Sequence, residues 1–154
     1  MKYRRLSNEE LEPLKEEFLK YLLVANITPE QWEEIKKNEP QQCEQHLDVF
    51  SDLVFEKILV QVQFIDRILP NRIELYQCQT DQFLMYALEA KNDEINEFQK
   101  DKLHKLDLSK FHCIQGKKRM GGDRKKDIFD LLQKDSTFIS DGALFKRLVL
   151  LLAE

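Results

Sequence analysis

The residues best equipped for chemistry form one basic run late in the chain, Gly116-Lys117-Lys118-Arg119-Met120-Gly121-Gly122-Asp123-Arg124-Lys125-Lys126. Glycine is absent before position 116, so here the chain first has residues that take positive φ without a Cβ penalty and let a partner approach the backbone closely. Residues 111–126 hold six cations against one carboxylate, whereas residues 1–57 hold eight Lys or Arg against thirteen Asp or Glu. Such a segment attracts phosphate or the acidic face of another protein. Glycine N–H groups beside a helix start are one way to hold phosphate. Gly116, Lys117, Lys118, Arg119, Gly121, Gly122, Arg124, Lys125 and Lys126 therefore make up the candidate ligand-binding set. The plainer alternative is a surface loop kept solvated by its charge. The run is neither a P-loop, because Asp123 follows Gly122, nor a dinucleotide fingerprint. Were it to bind RNA or DNA, its cations would contact phosphates with little sequence selectivity, and no aromatic stacking platform accompanies them.

Metal and nucleophile chemistry find weaker footing. Cys43 and His46 stand three apart on a predicted helix, and His112 adjoins Cys113. Neither pair has zinc-finger spacing, and neighbours on a strand point to opposite sides. A cysteine acting as a small hydrophobe is the commoner case, so no metal and no cofactor is expected. Ser140-Asp141-Gly142 is not a nucleophile elbow and reads better as a helix N-cap, supplied by Ser140 or Asp141. Cys113 lies near cations that would lower a thiol pKa, and His46 or His104 would have to come near it in space to serve as its base. No signature joins them, and Glu9, Glu10, Glu16 and Glu17 read as surface charge. A non-enzymatic protein is expected.

A chain of 154 residues with 42% apolar and 34% charged residues fits a single domain, 1–154, able to bury its own core. A net charge of −4 argues against nucleic-acid binding over the whole surface but leaves a local patch available. Three cysteines without paired spacing suit a reducing compartment. The start Met1-Lys2-Tyr3-Arg4-Arg5 leads into no apolar targeting segment, and runs such as Leu148–Ala153 are too short to span a bilayer. The expectation is a cytoplasmic protein without membrane contact.

The elements that must carry these residues follow from periodicity. Helices are expected over about 7–58. Ser7 and Glu10 form a capping box, Pro13 interrupts the first helix or delays its start to Glu12, and Thr28-Pro29 with Gln31 opens the second. The third begins near Pro40 and buries Cys43, Leu47, Phe50 and Leu53 or Val54, with Ile58 as a further candidate. From Val60 the period changes to alternation, which predicts a sheet over about 59–90: Val60 to Ile65, a turn at Pro70-Asn71, Arg72 to Gln79, then Phe83 to Ala90. The last strand leaves open whether Leu84, Tyr86 and Leu88 or Phe83, Met85 and Ala87 are buried. Residues 91–110 are charge-dense and read as a solvated helix or a connection. Phe111 to Ile114 suits a short fourth strand or a docked loop. Two helices are expected over about 124–153. The last, with Leu144, Phe145, Leu148, Val149, Leu151 and Leu152, is apolar nearly all round. It is expected to cover the sheet, with homo-oligomer contact as the alternative.

Lys2-Tyr3-Arg4-Arg5-Leu6-Ser7-Asn8-Glu9-Glu10-Leu11, Ile27-Thr28 to Trp32, Asp48-Val49-Phe50-Ser51-Asp52-Leu53-Val54-Phe55-Glu56, Ile128-Phe129-Asp130-Leu131-Leu132 and Ser140-Asp141-Gly142-Ala143-Leu144-Phe145 are similar to a family of uncharacterised cytoplasmic proteins from Bacteroidetes. The resemblance spans nearly the whole chain. It implies a bacterial cytoplasmic origin and a domain of unknown function, and it brings no catalytic residue with it.

The fold expected is α+β: three N-terminal helices, an antiparallel sheet of three to four strands and two C-terminal helices. The function expected is that of an interaction or adaptor protein with a protein partner. The alternative is a small RNA- or phosphate-ligand-binding protein using residues 116–126.

Overall fold

The computed structural model describes residues 1–91 and 108–153. Residues 92–107 of the charge-dense stretch, His104 among them, lie outside the described residues. The chain divides into two compact units, Met1–Ile58 and Leu59–Glu154.

The first unit is helical. Ser7 and Glu10 form the reciprocal capping box that opens α1 (Asn8–Leu11). Pro13 then breaks the path: a 3-10 turn, Glu12–Leu14, precedes α2 (Lys15–Val24). Thr28 and Gln31 box the start of α3 (Pro29–Asn38), with Pro29 at the first helical position. Pro40 begins α4 (Pro40–Gln61). Phe18 gathers the aromatic core, meeting Trp32 edge-on at 5.1 Å and Phe50 at 5.0 Å. The Tyr21 hydroxyl lies 2.9 Å from His46 Nδ1. The buried Ser51 hydroxyl accepts the Leu6 N–H and donates to the Leu47 carbonyl, which ties the chain start to α4.

Leu59, in the last turn of α4, opens the second unit. Here the predicted first strand begins too early. Val60 belongs to the helix, and β1 is Phe64–Leu69. Buried Ser51 and Leu59 stand eight apart on one helical face, and Val60 is exposed, so the alternation that mimics a strand begins inside the last helical turn. Two residues, Pro70 and Asn71, turn the chain into β2 (Arg72–Cys78), and β3 (Gln82–Ala90) follows. β4 runs over Phe111–Arg119, α5 over Arg124–Leu132, β5 over Thr137–Ser140 and α6 over Ala143–Leu152.

The fold class is α+β as expected, but the sheet has five antiparallel strands in the order β4-β3-β2-β1-β5, not three or four. β5 is the unforeseen member. Its four residues pair with Phe64 to Arg67 and are too few to announce a period. The choice of buried face on β3 is resolved by both faces being covered. Register places Leu84, Tyr86 and Leu88 on the face where Phe145 and Leu148 of α6 pack with Phe64, Ile73 and Leu75. Phe83, Met85 and Ala87 point to the opposite face, beside α5. α6 is not apolar all round in its burial: Leu148 is buried, while Leu150 is 70% exposed. Its N-cap is Gly142 rather than Ser140 or Asp141, although both side chains accept N–H groups at the helix start.

Candidate functional site

The basic run is not one loop. Its first part, Gly116 to Arg119, completes β4, one of the two edge strands of the sheet. Register with β3 sets Gly116 opposite Met85, Lys117 opposite Leu84, Lys118 opposite Phe83 and Arg119 opposite Gln82. Strand alternation therefore sends Lys118 to the α5 side and Lys117 and Arg119 to the α6 side. All three are exposed, and none has an ion pair among the described residues.

The middle part is the turn into α5. The Met120 N–H reaches the Asp81 carbonyl, and Gly122 takes φ +104. Two carboxylates occupy the amide donors here. Asp127 accepts the Gly121 N–H at 2.8 Å, and the N-cap Asp123 accepts the Lys126 N–H at 3.2 Å. The places where a helix start would hold a phosphate are thus filled by the protein's own acids.

The last part turns inward. The Arg124 guanidinium donates to the carbonyls of Val62, Cys78 and Gln79 at 2.8 to 3.0 Å and to that of Leu59 at 3.5 Å. A planar fork of donors suits this role, because it caps the end of α4 and the end of β2 together. Lys126 pairs with Asp130 at 3.2 Å and lies over the Phe129 ring. Lys125 is half-buried in the same first turn. Of the nine residues singled out from sequence, the fold keeps Gly116, Lys117, Lys118 and Arg119 together on an accessible strand.

That strand borders a groove of about 390 Å³ between α5 and the sheet. Tyr76, Phe83, Met85 and Leu131 give it an apolar floor. Lys134, just past the end of α5, lines the same groove together with Asp127 and Asp130. Asp130 is paired with Lys126, and Lys117, Lys118, Arg119 and Lys134 outnumber the two carboxylates, so the rim is net positive. The floor is held from beneath. Tyr76 packs edge-on with Phe83, and its hydroxyl donates to Glu74 at 2.9 Å. Burial works to raise the Glu74 pKa, but bonds from Arg72, Tyr76 and Arg67 outweigh it and hold the carboxyl below its usual range. Burial, with the Glu74 bond, pushes the Tyr76 hydroxyl pKa upward and keeps it a donor. Sequence reasoning missed the groove floor. The available signal was the doubly apolar β3, in which both alternating sets need cover.

The other candidates sit apart from this groove. Cys43 and His46 lie on α4 in the first unit, and His112 and Cys113 are exposed on β4. No group of three or more His, Cys, Asp or Glu among the described residues could hold a metal ion. Partial burial raises the Cys113 thiol pKa, opposite to the shift a reactive thiolate needs. Ser140 donates to the buried Asp66 at 3.0 Å and accepts the Gly142 N–H. No helix among the described residues is long and apolar enough to cross a membrane.

Residues 1–153 match the model of a family of unknown function, DUF6495, and the chain belongs to that family. No curated protein and no solved structure matches it.

Proposed function

We propose that this family member is a non-enzymatic interaction protein that takes an acidic protein partner on the basic edge of its sheet. The reading is carried by one observation: Lys117, Lys118 and Arg119 stand exposed, and without ion pairs among the described residues, on an edge strand that borders an apolar groove. Cations on an ordered strand form a pattern that can be matched, which cations on a wandering loop cannot do. The alternative, an RNA or phosphate ligand, draws less support. Its best amide donors are occupied by Asp123 and Asp127, and the aromatic rings nearby, Tyr76 and Phe83, are buried. Three cysteines without a disulfide fit the reducing bacterial cytoplasm implied by the resemblance.

The test compares the wild-type chain with K117A/K118A/R119A. Labelled oligoglutamate and labelled single-stranded RNA are titrated by fluorescence anisotropy across about 50 to 200 mM salt. Oligoglutamate should bind the wild type, weaken with salt and lose the triple variant, while the unfolding midpoint stays put. Affinity purification from the host should recover a stoichiometric protein with the wild type only. Preference for RNA, or binding unchanged in the triple variant, would overturn the reading.

A further inference from the structure

Resting on the basic-edge reading, we propose that the partner is engaged as an added strand. An extended acidic segment pairs along the outer side of β4 and sets one large apolar side chain, best an aromatic, opposite Gly116. That side chain crosses the glycine into the groove.

Three features of β4 carry this. First, β4 pairs with β3 on one side, and its other side has no strand partner among the described residues. Such an edge is a template for another backbone. Second, Gly116 interrupts an otherwise side-chain-bearing strand at the groove. Its φ is not positive, so no turn demands glycine there. A glycine inside a strand weakens it and marks a place where another group comes close. Across the sheet from Gly116 lie Met85 and then Tyr76, one row of directly paired residues. A Cβ on Gly116 would stand 3.5 Å from Met85 Cε, so any larger residue would fill the entrance that the glycine leaves open. An aromatic on a neighbouring strand covers an edge glycine well. With strands about 4.8 Å apart, its ring would reach over Gly116 to Met85.

Third, the cations come at consecutive positions and so alternate in face. Lys118 lies on the groove side, and Lys117 and Arg119 lie on the other. Only an extended chain answers both faces, with acids at three successive residues. A second copy of this strand would bring like charges together, so the cations select against self-pairing. Every pairing in the sheet is antiparallel. An antiparallel partner therefore carries its three acids just before the aromatic.

The probe is a labelled Val-Glu-Glu-Glu-Phe-Val peptide titrated onto the full chain by anisotropy. Replacing its Phe by Ala should weaken binding at least about tenfold, the value of burying such a ring. N-methylation of alternate peptide amides should do the same, because it removes ladder donors while keeping charge. Gly116→Val should weaken the Phe peptide and leave the Ala peptide unchanged, a coupling that general destabilisation would not produce. The N-methyl comparison on the wild-type chain decides the matter even if that variant folds poorly. Equal binding with and without Phe and with N-methyl amides would overturn strand addition and leave the basic-edge reading standing. Failure of every acidic peptide, or tighter binding of RNA, would overturn both.

Discussion

Gly142 lies against the ring of Phe64 so closely that a Cβ would overlap the ring carbons. Its φ of +80 makes the αL turn between β5 and α6. Two constraints therefore coincide on one residue: a backbone conformation that side chains resist, and a contact with a core aromatic.

Gly142→Ala should cost about 2 to 4 kcal/mol, from left-handed strain plus overpacking against Phe64. Urea unfolding should show a lower midpoint with an unchanged slope. A loss within experimental error would mean that the Phe64 ring yields, and that the turn does not depend on this contact.

Arg124 and Lys118 share one basic run but should behave oppositely when changed. Arg124→Ala strands carbonyls of Val62, Cys78 and Gln79, and should cost about 2 to 4 kcal/mol. Arg124→Lys should recover little, because a compact ammonium lacks the planar fork whose Nε and terminal nitrogens reach these separate carbonyls. Lys118→Ala, exposed on β4, should change stability by less than about 0.5 kcal/mol while weakening an acidic ligand. The comparison needs one unfolding curve and one titration per variant. Equal stability losses at the two positions would show that Arg124 is not the structural member of the run.

Local chemistry was legible in the sequence wherever a few adjacent residues decide it. The Ser7 and Thr28 boxes, the Pro13 break and the Pro70-Asn71 hairpin were all readable, because each is a matter of near neighbours. What escaped depends on distant partners. Thr137–Ser140 is a strand only because β1 offers it an edge. Gly116 to Arg119 continues β4 because β3 is long enough to pair with it, and charge density alone had suggested a loop. The site was legible as a list of cations, but not in its division. Nothing in the sequence near Arg124 says that carbonyls from Leu59 to Gln79 will converge on it.

The Arg4–Glu10 pair gives the first unit a pH signature. Two bonds, of 2.7 and 3.0 Å, from Arg4 lower the Glu10 pKa to about 2, from an ordinary value of 4.5. A depressed folded-state pKa stabilises above the unfolded value, and the contribution fades as pH falls from about 4.5 toward 2. Glu10 is 39% exposed, so solvent screening holds the effect to about 1 kcal/mol or less. Glu10→Gln keeps a capping-box acceptor and removes the charge. The wild type should be the more stable above pH 4.5, and the two should converge in acid. Parallel pH profiles would mean that the pair contributes nothing.

Thiol reactivity separates a binding module from an enzyme built on Cys113. Cys78 is buried, and burial pushes its thiol up to about 11, so it should react only on unfolding. Cys113 is exposed and should be the fastest thiol toward a disulfide reagent, lost in Cys113→Ser. Its pKa is also raised by partial burial, so its rate should climb about tenfold per pH unit through the ordinary thiol range without levelling off. The nearby cations Lys117 and Lys118 would lower that pKa only if they approached the sulfur. Cys113 lies opposite Leu88, four register positions from Lys117 on the same strand, so its surroundings there are those of an apolar sheet face. A rate plateau near neutral pH would show a stabilised thiolate and would make a Cys113-centred reaction the better reading.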